Sequence, residues 1–267
     1  MRNLAAFGGA CAALAGCALA QGVGAPLSMR SEASGAPISR PVVVEMFLSQ
    51  SCSSSPPAAE ILADLAKRSD IVALAWHVDY WDQFAARDVG PWSDPFARAA
   101  FVERQMAYNK RIRGREMRMT PQAVIDGFIS VAGSKRDALE ARIREAQFVD
   151  ERARLTPPSL EIKRADDGVL RTRIDGVGAP YDAIVVSFRR SAVTKVAGGD
   201  NAGVTFREVN VVHAVDRLAS NHEGTGDFSF KAPAGDADCA VLVQERDHGR
   251  IVAARYCADA AKLAANP

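Results

Sequence analysis

The sequence predicts an α/β domain of order β-α-β-α-β-β-α, followed by a β-sandwich-like domain. Three observations lead to this prediction. Nearly continuous apolar runs alternate with helical patterns over residues 41–155, which is typical of buried strands joined by helices. The segment Thr156-Pro157-Pro158 then forms a stiff boundary. Over residues 159–258, short alternating runs separated by Gly, Asp, Asn and Pro indicate a series of strands.

Length and composition are those of an ordinary globular protein with a substantial core. The chain has 267 residues, of which 48% are hydrophobic and 24% are charged. Its formal net charge is +1, and Lys and Arg are spread along the sequence rather than clustered. This distribution does not indicate a nucleic-acid surface, so no nucleic-acid partner is predicted.

The first 20 residues have the features of an export signal. One charged residue, Arg2, precedes an apolar run that is too short to span a bilayer, and Ala18-Leu19-Ala20 fits a cleavage site. A second interpretation is that residues 14–17, Leu-Ala-Gly-Cys, form a lipobox in which Cys17 is lipidated and becomes the mature N-terminus. Both interpretations stay open. Each predicts export to the periplasm or the extracellular space, with membrane contact only through the lipid anchor.

Residues 21–40 are rich in Gly, Ala, Ser and Pro and are predicted to form a flexible leader. The organising feature of the chain comes directly after them. An apolar, strand-like run over 42–48 is followed by Cys52, three serines and two prolines, and a helical pattern follows from Ala58. Ser caps free backbone N–H groups and Pro tolerates the first helical turn, so Cys52 lies where a strand leads into a helix. Helix starts stabilise thiolates, which makes Cys52 the predicted catalytic residue.

A second buried strand is predicted over residues 71–78, parallel to the first because one helix separates them. The residues at its end, His77, Asp79 and Trp81, are therefore expected near Cys52. His77 can form an ion pair with the thiol, and Trp81 either packs in the loop or lines a ligand groove. The spacing of His and Asp here is not a recognised ligand motif, so no metal or other cofactor is predicted.

The next elements complete the α/β domain. Asp94-Pro95 is expected to open a helix running to about Arg111, since a capping residue followed by Pro is a helix-start signal. A hairpin is predicted over 122–132 and a closing helix over 135–148.

This order is that of the thioredoxin fold, which places a proline immediately before the third strand. Thr120-Pro121 occupies that position, and X-Pro bonds readily adopt the cis form. In the thioredoxin fold the cis-Pro loop lies against the reactive sulfur and offers its backbone to an incoming chain. Pro121 and Thr120 are therefore predicted to belong to the site of Cys52.

Several segments of the chain resemble the DUF1223 family of exported bacterial proteins. The matching segments are Val43–Phe47, Ser49–Ser54, Pro56–Ala58, His77–Asp82, Thr120–Gln122, Val124–Gly127, Asn201–Gly203 and Val209–Val212. The resemblance implies a thioredoxin-like domain and export. The family typically has Cys-Ser-Ser-Cys before the two prolines, whereas position 55 here is Ser.

Ser55 changes the predicted chemistry. In a two-cysteine site the first thiolate attacks a disulfide and the second resolves the mixed disulfide. With Ser55 in the second position, Cys52 can attack a protein or small-thiol disulfide but needs an external thiol for release, while Ser55 can donate a hydrogen bond to the sulfur. This predicts a monothiol thiol-disulfide oxidoreductase. The alternative is a redox-inactive binding module that uses the thioredoxin-like face and the β-sandwich.

The remaining cysteines are predicted to pair with each other. Of the five in the sequence, two lie in the leader, at positions 11 and 17, and Cys239 and Cys257 flank a hairpin centred near Asp247. Facing residues of antiparallel strands come close enough for a disulfide. A Cys239–Cys257 bond would leave Cys52 as the odd thiol.

Overall fold

A computed structural model describes residues 40–82, 92–153 and 157–258. The predicted signal peptide, the possible lipidation site Cys17 and nearly all of the predicted leader lie outside the described residues.

The first seven elements follow the predicted β-α-β-α-β-β-α order. They are β1 (Val42–Leu48), α1 (Ser55–Leu65), β2 (Ile71–His77), α2 (Ala99–Arg113), β3 (Gln122–Ile125), β4 (Ile129–Ala132) and α3 (Arg136–Ala153). No helix in the described part of the chain is long and apolar enough to cross a bilayer.

The predicted start of α2 is wrong by several residues. The helix begins at Ala99, and Asp94 instead closes a turn in which its Oδ1 accepts a hydrogen bond from the Phe96 amide at 3.0 Å. Asp94 is buried, and its other oxygen accepts a hydrogen bond from the Gln50 amide. A cap-and-Pro signal identifies a residue that satisfies backbone donors, but those donors need not belong to a helix.

Seven strands follow α3. They are β5 (Ser159–Arg164), β6 (Val169–Asp175), β7 (Tyr181–Lys195), β8 (Thr205–His222), β9 (Gly226–Lys231), β10 (Ala237–Glu245) and β11 (Ile251–Tyr256). Strand β7 is continuous over 15 residues.

These strands do not form a domain of their own, which corrects the prediction of a separate β-sandwich-like domain. Four of them extend the first sheet, whose strand order is β11-β10-β7-β8-β2-β1-β3-β4, and β5, β6 and β9 form a small antiparallel sheet. The junction is a parallel pairing of β2 with β8 at Ala75 and Val211. Strand β2 is buried along its whole length, so its outer edge requires a partner for its N–H and C=O groups.

The large sheet is covered on both faces. Alternate side chains of β1 pack against α1 and α3 on one face, as Met46 does, and against α2 on the other, as Phe47 does. The small sheet packs through Leu170 and Ile174 of β6 on the part of the large sheet formed by β7 and β10. The Cys52 loop therefore lies at the end of two central, buried strands.

The predicted disulfide is present. Cys239 in β10 and Cys257, directly after β11, are bonded with their Cα atoms 5.2 Å apart. Within the described part of the chain, Cys52 is the free cysteine.

Candidate functional site

Cys52 lies in the connection between β1 and α1. The Cys52 amide donates to the Ser49 carbonyl at 3.2 Å, and the Ser55 amide donates to the Cys52 carbonyl at 2.9 Å, which closes two successive turns. Helix α1 begins at Ser55 with prolines in its first turn, as the sequence pattern indicates. Cys52 is only 2% exposed. The sulfur is thus placed just before a helix N-terminus but is covered.

The groups that cover the sulfur come from two sides. The Cys52 Sγ lies 3.3 Å from the Ser54 hydroxyl and donates to the Thr120 carbonyl oxygen at 3.7 Å. The peptide bond between Thr120 and Pro121 is cis. The structure therefore brings Cys52 together with Thr120 and Pro121, which lie far from it in the sequence.

The hydroxyl beside the sulfur belongs to Ser54, a residue that the sequence pattern does not single out. Ser55, which was expected to donate to the sulfur, is buried, and its Oγ accepts a hydrogen bond from the Ser49 amide at 3.2 Å. Ser55 therefore fastens the helix start to the end of β1. A cysteine at position 55 would lack this hydroxyl acceptor, because thiols are weak hydrogen-bonding groups.

Trp81 and Asp79 occupy the turn that follows β2. The Trp81 indole N–H donates to the Thr120 hydroxyl at 2.6 Å, so Trp81 supports the cis-Pro loop. Asp79 is half-buried and its carbonyl accepts from the Asp82 amide at 3.0 Å, which makes it a turn residue. Burial, together with the nearby Asp94 and Asp79 charges, raises the pKa of Asp82 to about 6, although its bond from the Asp94 amide opposes the shift.

His77 does not pair with Cys52, contrary to expectation. It is fully buried between two carboxylates, with Nδ1 2.7 Å from Asp94 Oδ2 and Nε2 2.8 Å from Glu208 Oε1. Burial alone would lower its pKa, but the charges of Glu208 and Asp94 outweigh burial and raise the pKa to about 10. The ring is therefore a buried imidazolium that is hydrogen-bonded to Asp94 through Nδ1 and forms an ion pair with Glu208 at Nε2.

The same two carboxylates hold the loop that carries Cys52. Asp94 Oδ2 accepts from the Gln50 amide at 2.8 Å, and Glu208 Oε2 accepts from the Gln50 side-chain amide at 2.9 Å. We call His77, Asp94, Glu208 and Gln50 the ionic cluster. It fixes Gln50, two residues before the sulfur, through charge-assisted hydrogen bonds that are screened from solvent.

A second support comes from the loop between β7 and β8. The Asn201 side-chain amide donates to the carbonyls of Gln50 at 2.9 Å and Cys52 at 2.8 Å. Gly199 has a φ of +70°, and a Cβ placed there would lie 2.8 Å from the Ser51 Cβ. Only glycine permits this close approach. The β7–β8 loop therefore clamps the Cys52 loop from outside the first seven elements.

Gln50, Ser54, Glu208 and Asn201 are the site residues that reasoning from the sequence missed, and Asp94 is predicted only as the start of a helix. Gln50, Ser54 and Asn201 lie in segments that resemble the DUF1223 family, and this is the signal that could have identified them. For Glu208 the sequence carries no local signal, because an isolated Glu in a polar context normally faces solvent.

We expect Asn201→Ala to destabilise the protein by about 1–3 kcal/mol, because two buried carbonyls lose their donor. Urea unfolding measures the loss, and the rate of iodoacetamide labelling at Cys52 measures how far the loop has loosened. Asp200→Ala is the matched control, since Asp200 is exposed and contacts Ser51 through its backbone amide. Equal stability and labelling rates in the two variants would contradict the clamp.

The part of the chain that forms this site matches a known protein family. Residues 43–244 match the family described as "Protein of unknown function (DUF1223)". The chain belongs to the DUF1223 family. The matched range includes the Cys52 loop, the cis-Pro loop and the β7–β8 loop, so the whole site lies within the family region. Comparison with curated proteins gives no significant match.

Two solved structures are similar to this DUF1223 chain. The crystal structure of protein AGR_C_4864 from Agrobacterium tumefaciens is 26% identical, with a TM-score of 0.67, over 82% of this chain and 94% of that one. The structure of HBP35 of Porphyromonas gingivalis is 14% identical, with a TM-score of 0.53, over 82% of this chain and 74% of that one. The second similarity concerns the fold alone.

Proposed function

We propose that this DUF1223 protein is an exported thioredoxin-like protein that exchanges disulfides through Cys52 by a monothiol mechanism. The observation that carries the proposal is the contact of the Cys52 sulfur with the carbonyl of Thr120, at a cis bond to Pro121. A sulfur just before a helix start, beside a cis-Pro loop, has the arrangement needed for attack on a disulfide held along that loop. The β-α-β-α-β-β-α order of the first seven elements supports the same assignment.

The reaction balances without a second cysteine. The deprotonated Cys52 sulfur attacks one sulfur of a disulfide, forms a mixed disulfide with it, and expels the other sulfur as a thiolate, which takes up the proton that Cys52 lost. A low-molecular-weight thiol supplied by the compartment then attacks the substrate sulfur of the mixed disulfide. That step returns Cys52 to its thiol form and leaves the substrate bonded to the small thiol.

Disulfide substrates and an exported location fit together. The Cys239–Cys257 bond is of the kind that persists in oxidising compartments. The predicted signal peptide leads to the same environment. The substrate class is therefore a protein or small-thiol disulfide of the cell envelope.

One observation favours the second candidate, a redox-inactive binding module of the envelope. Cys52 is 2% exposed, and the ionic cluster and Asn201 hold its loop. Exchange therefore requires Ser54 or the Thr120 loop to move aside. A binding module requires no such movement, and its partner would contact the cis-Pro face without bonding to sulfur.

Covalent trapping separates the two candidates. The wild-type chain and Cys52→Ser are expressed with their leader, and envelope proteins are alkylated and separated without reductant. We expect wild-type conjugates that dithiothreitol releases, with the partner cysteine mapped to the Cys52 peptide, and none with Cys52→Ser. Identical, non-covalent partners for both chains, with no Cys52 adduct, would overturn the exchange mechanism in favour of the binding module.

A further inference from the structure

A second site lies on the face of the large sheet opposite the ionic cluster. A cavity of about 300 Å³ opens between α2 and the strands β7 and β8. Trp76 lines this cavity, whereas the next residue of β2, His77, points into the ionic cluster, so the two sites are on opposite faces. The volume is at the lower end of the range found for small-molecule pockets. We call this cavity the basic pocket.

The chemical character of the basic pocket is uniform. Its apolar walls include Trp76, Phe101 and Ile184. The charged and titratable side chains that line it are all basic, and they are Arg98, Arg104, Arg217, His213 and His248. A pocket with an apolar interior and only basic polar groups matches a ligand that has an apolar body and a negative charge.

Carboxylates outside the pocket neutralise only part of this charge. Arg104 is paired with Glu45 at 2.8 Å, and Arg217 lies 3.4 Å from Asp182. Among the described residues, Arg98 instead donates to the neutral carbonyls of Pro95 and Ala97. Three guanidinium groups thus face two carboxylates, which leaves about one positive charge for a ligand to neutralise.

The central arginine is held rigidly. Arg104 is 7% exposed, and its Nε and Nη2 atoms donate to Glu45, Tyr108 and Gln244. Its guanidinium carbon lies 5.0 Å from the centre of the Trp76 ring. Such a group is already ordered before a ligand arrives, which reduces the entropic cost of binding.

Partial burial is the main influence on the two histidines of the pocket. Partial burial, followed by the charge of Arg189, lowers the pKa of His213, and partial burial, followed by the charge of Arg104, lowers the pKa of His248. Both rings are therefore neutral at pH 7. A neutral imidazole offers one donor and one acceptor, so it can hydrogen-bond a ligand without adding charge.

We propose that the basic pocket binds a small organic monoanion: a carboxylate on an aromatic body that lies against the apolar lining of the pocket, which includes the edge-to-face pair of Trp76 and Phe101. The carboxylate faces Arg98, the arginine of the pocket that is not paired with a carboxylate among the described residues. This ligand makes no contact with Cys52, so the proposal stands apart from the exchange mechanism and extends the protein's function to a second site.

Isothermal titration of the full chain with 2-naphthoate tests the pocket, with 2-naphthamide as the neutral probe of the same shape. We expect one molecule of naphthoate per chain and at least about tenfold weaker binding of the amide, the usual size of a charge-assisted contact. Arg98→Gln should weaken the binding of naphthoate about tenfold, because it removes the charge that the carboxylate faces. Arg98 is exposed, so its replacement leaves the core intact.

Arg255→Gln, an exposed arginine on β11, is the matched control and should bind as wild type does, as should Cys52→Ser. Equal affinity for the acid and the amide would overturn the proposal. So would unchanged naphthoate binding in Arg98→Gln, or no heat of binding at millimolar naphthoate.

Discussion

Replacing His77 by leucine is expected to lower the free energy of unfolding by about 3–5 kcal/mol, the usual cost of removing one partner from a buried ionic group. Asp94 and Glu208 would then remain buried without the imidazolium that lies 2.7 and 2.8 Å from them. Their repulsion would also release Gln50, which both carboxylates hold. Urea unfolding measures the first effect, and alkylation of Cys52 measures the second.

His213→Leu is the matched control, because His213 is exposed on β8 and outside the ionic cluster. It should change the stability by less than about 1 kcal/mol. Adding Asp94→Asn and Glu208→Gln to His77→Leu removes both charges, and much of the loss should be recovered. A His77→Leu chain as stable as His213→Leu would show that the ionic cluster contributes nothing.

The ionic cluster also predicts a pH dependence. The pKa of His77 is raised from 6.5 to about 10, so the stabilisation it provides is complete below pH 6.5 and is lost as the pH rises towards 10. Between these values the stability should fall by at most about 1.4 kcal/mol per pH unit. The difference in unfolding free energy between wild type and His77→Leu should therefore shrink from pH 6 to pH 9. A constant difference would contradict a protonated His77.

Glu45→Leu is expected to destabilise the protein by a similar amount, about 3–5 kcal/mol. Glu45 is fully buried on β1, where Arg104 donates to it at 2.8 Å and the Tyr108 hydroxyl also donates to it. Without Glu45, the guanidinium of Arg104 is a buried charge with only neutral acceptors, Tyr108 and Gln244. Urea unfolding measures the loss.

The matched control for this substitution is Glu140→Leu. Glu140 pairs with Arg68 at 3.0 Å, but both side chains are about one-third exposed, and such pairs contribute at most about 1 kcal/mol. A second variant, Glu45→Leu with Arg104→Met, removes both charges and should recover most of the stability. If Glu45→Leu cost no more than Glu140→Leu, the buried pair would not stabilise the fold.

The sequence predicts the first seven elements well because their signals are local. A continuous apolar run such as β1, and serine and proline before α1, report the state of their own residues. Thr120-Pro121 is identified because the order of the elements requires a proline there. The disulfide is predictable for the same reason, since the hairpin between β10 and β11 places Cys239 and Cys257 opposite each other.

The partners of His77 and the pairing of β8 with β2 could not be predicted in this way, because no local sequence signal reports them. Asp94 lies in the connection between β2 and α2, whereas Glu208 belongs to β8 and meets His77 because β8 joins β2 in parallel. A strand pattern shows that β8 is a strand but does not show which edge it pairs with. Ser54 and Ser55 illustrate the same limit at short range: adjacent residues of one type have opposite roles because one points to the sulfur and the other to the Ser49 amide.

We propose that the covered Cys52 thiol reacts with disulfides in the folded protein. The most direct test is the rate at which Cys52 forms a mixed disulfide with glutathione disulfide, mapped by mass spectrometry, in native protein and in urea. We expect adduct formation in the native protein under conditions in which the fold stays intact, with release by added glutathione. A native Cys52 that stays unmodified while the unfolded chain reacts would contradict the exchange mechanism.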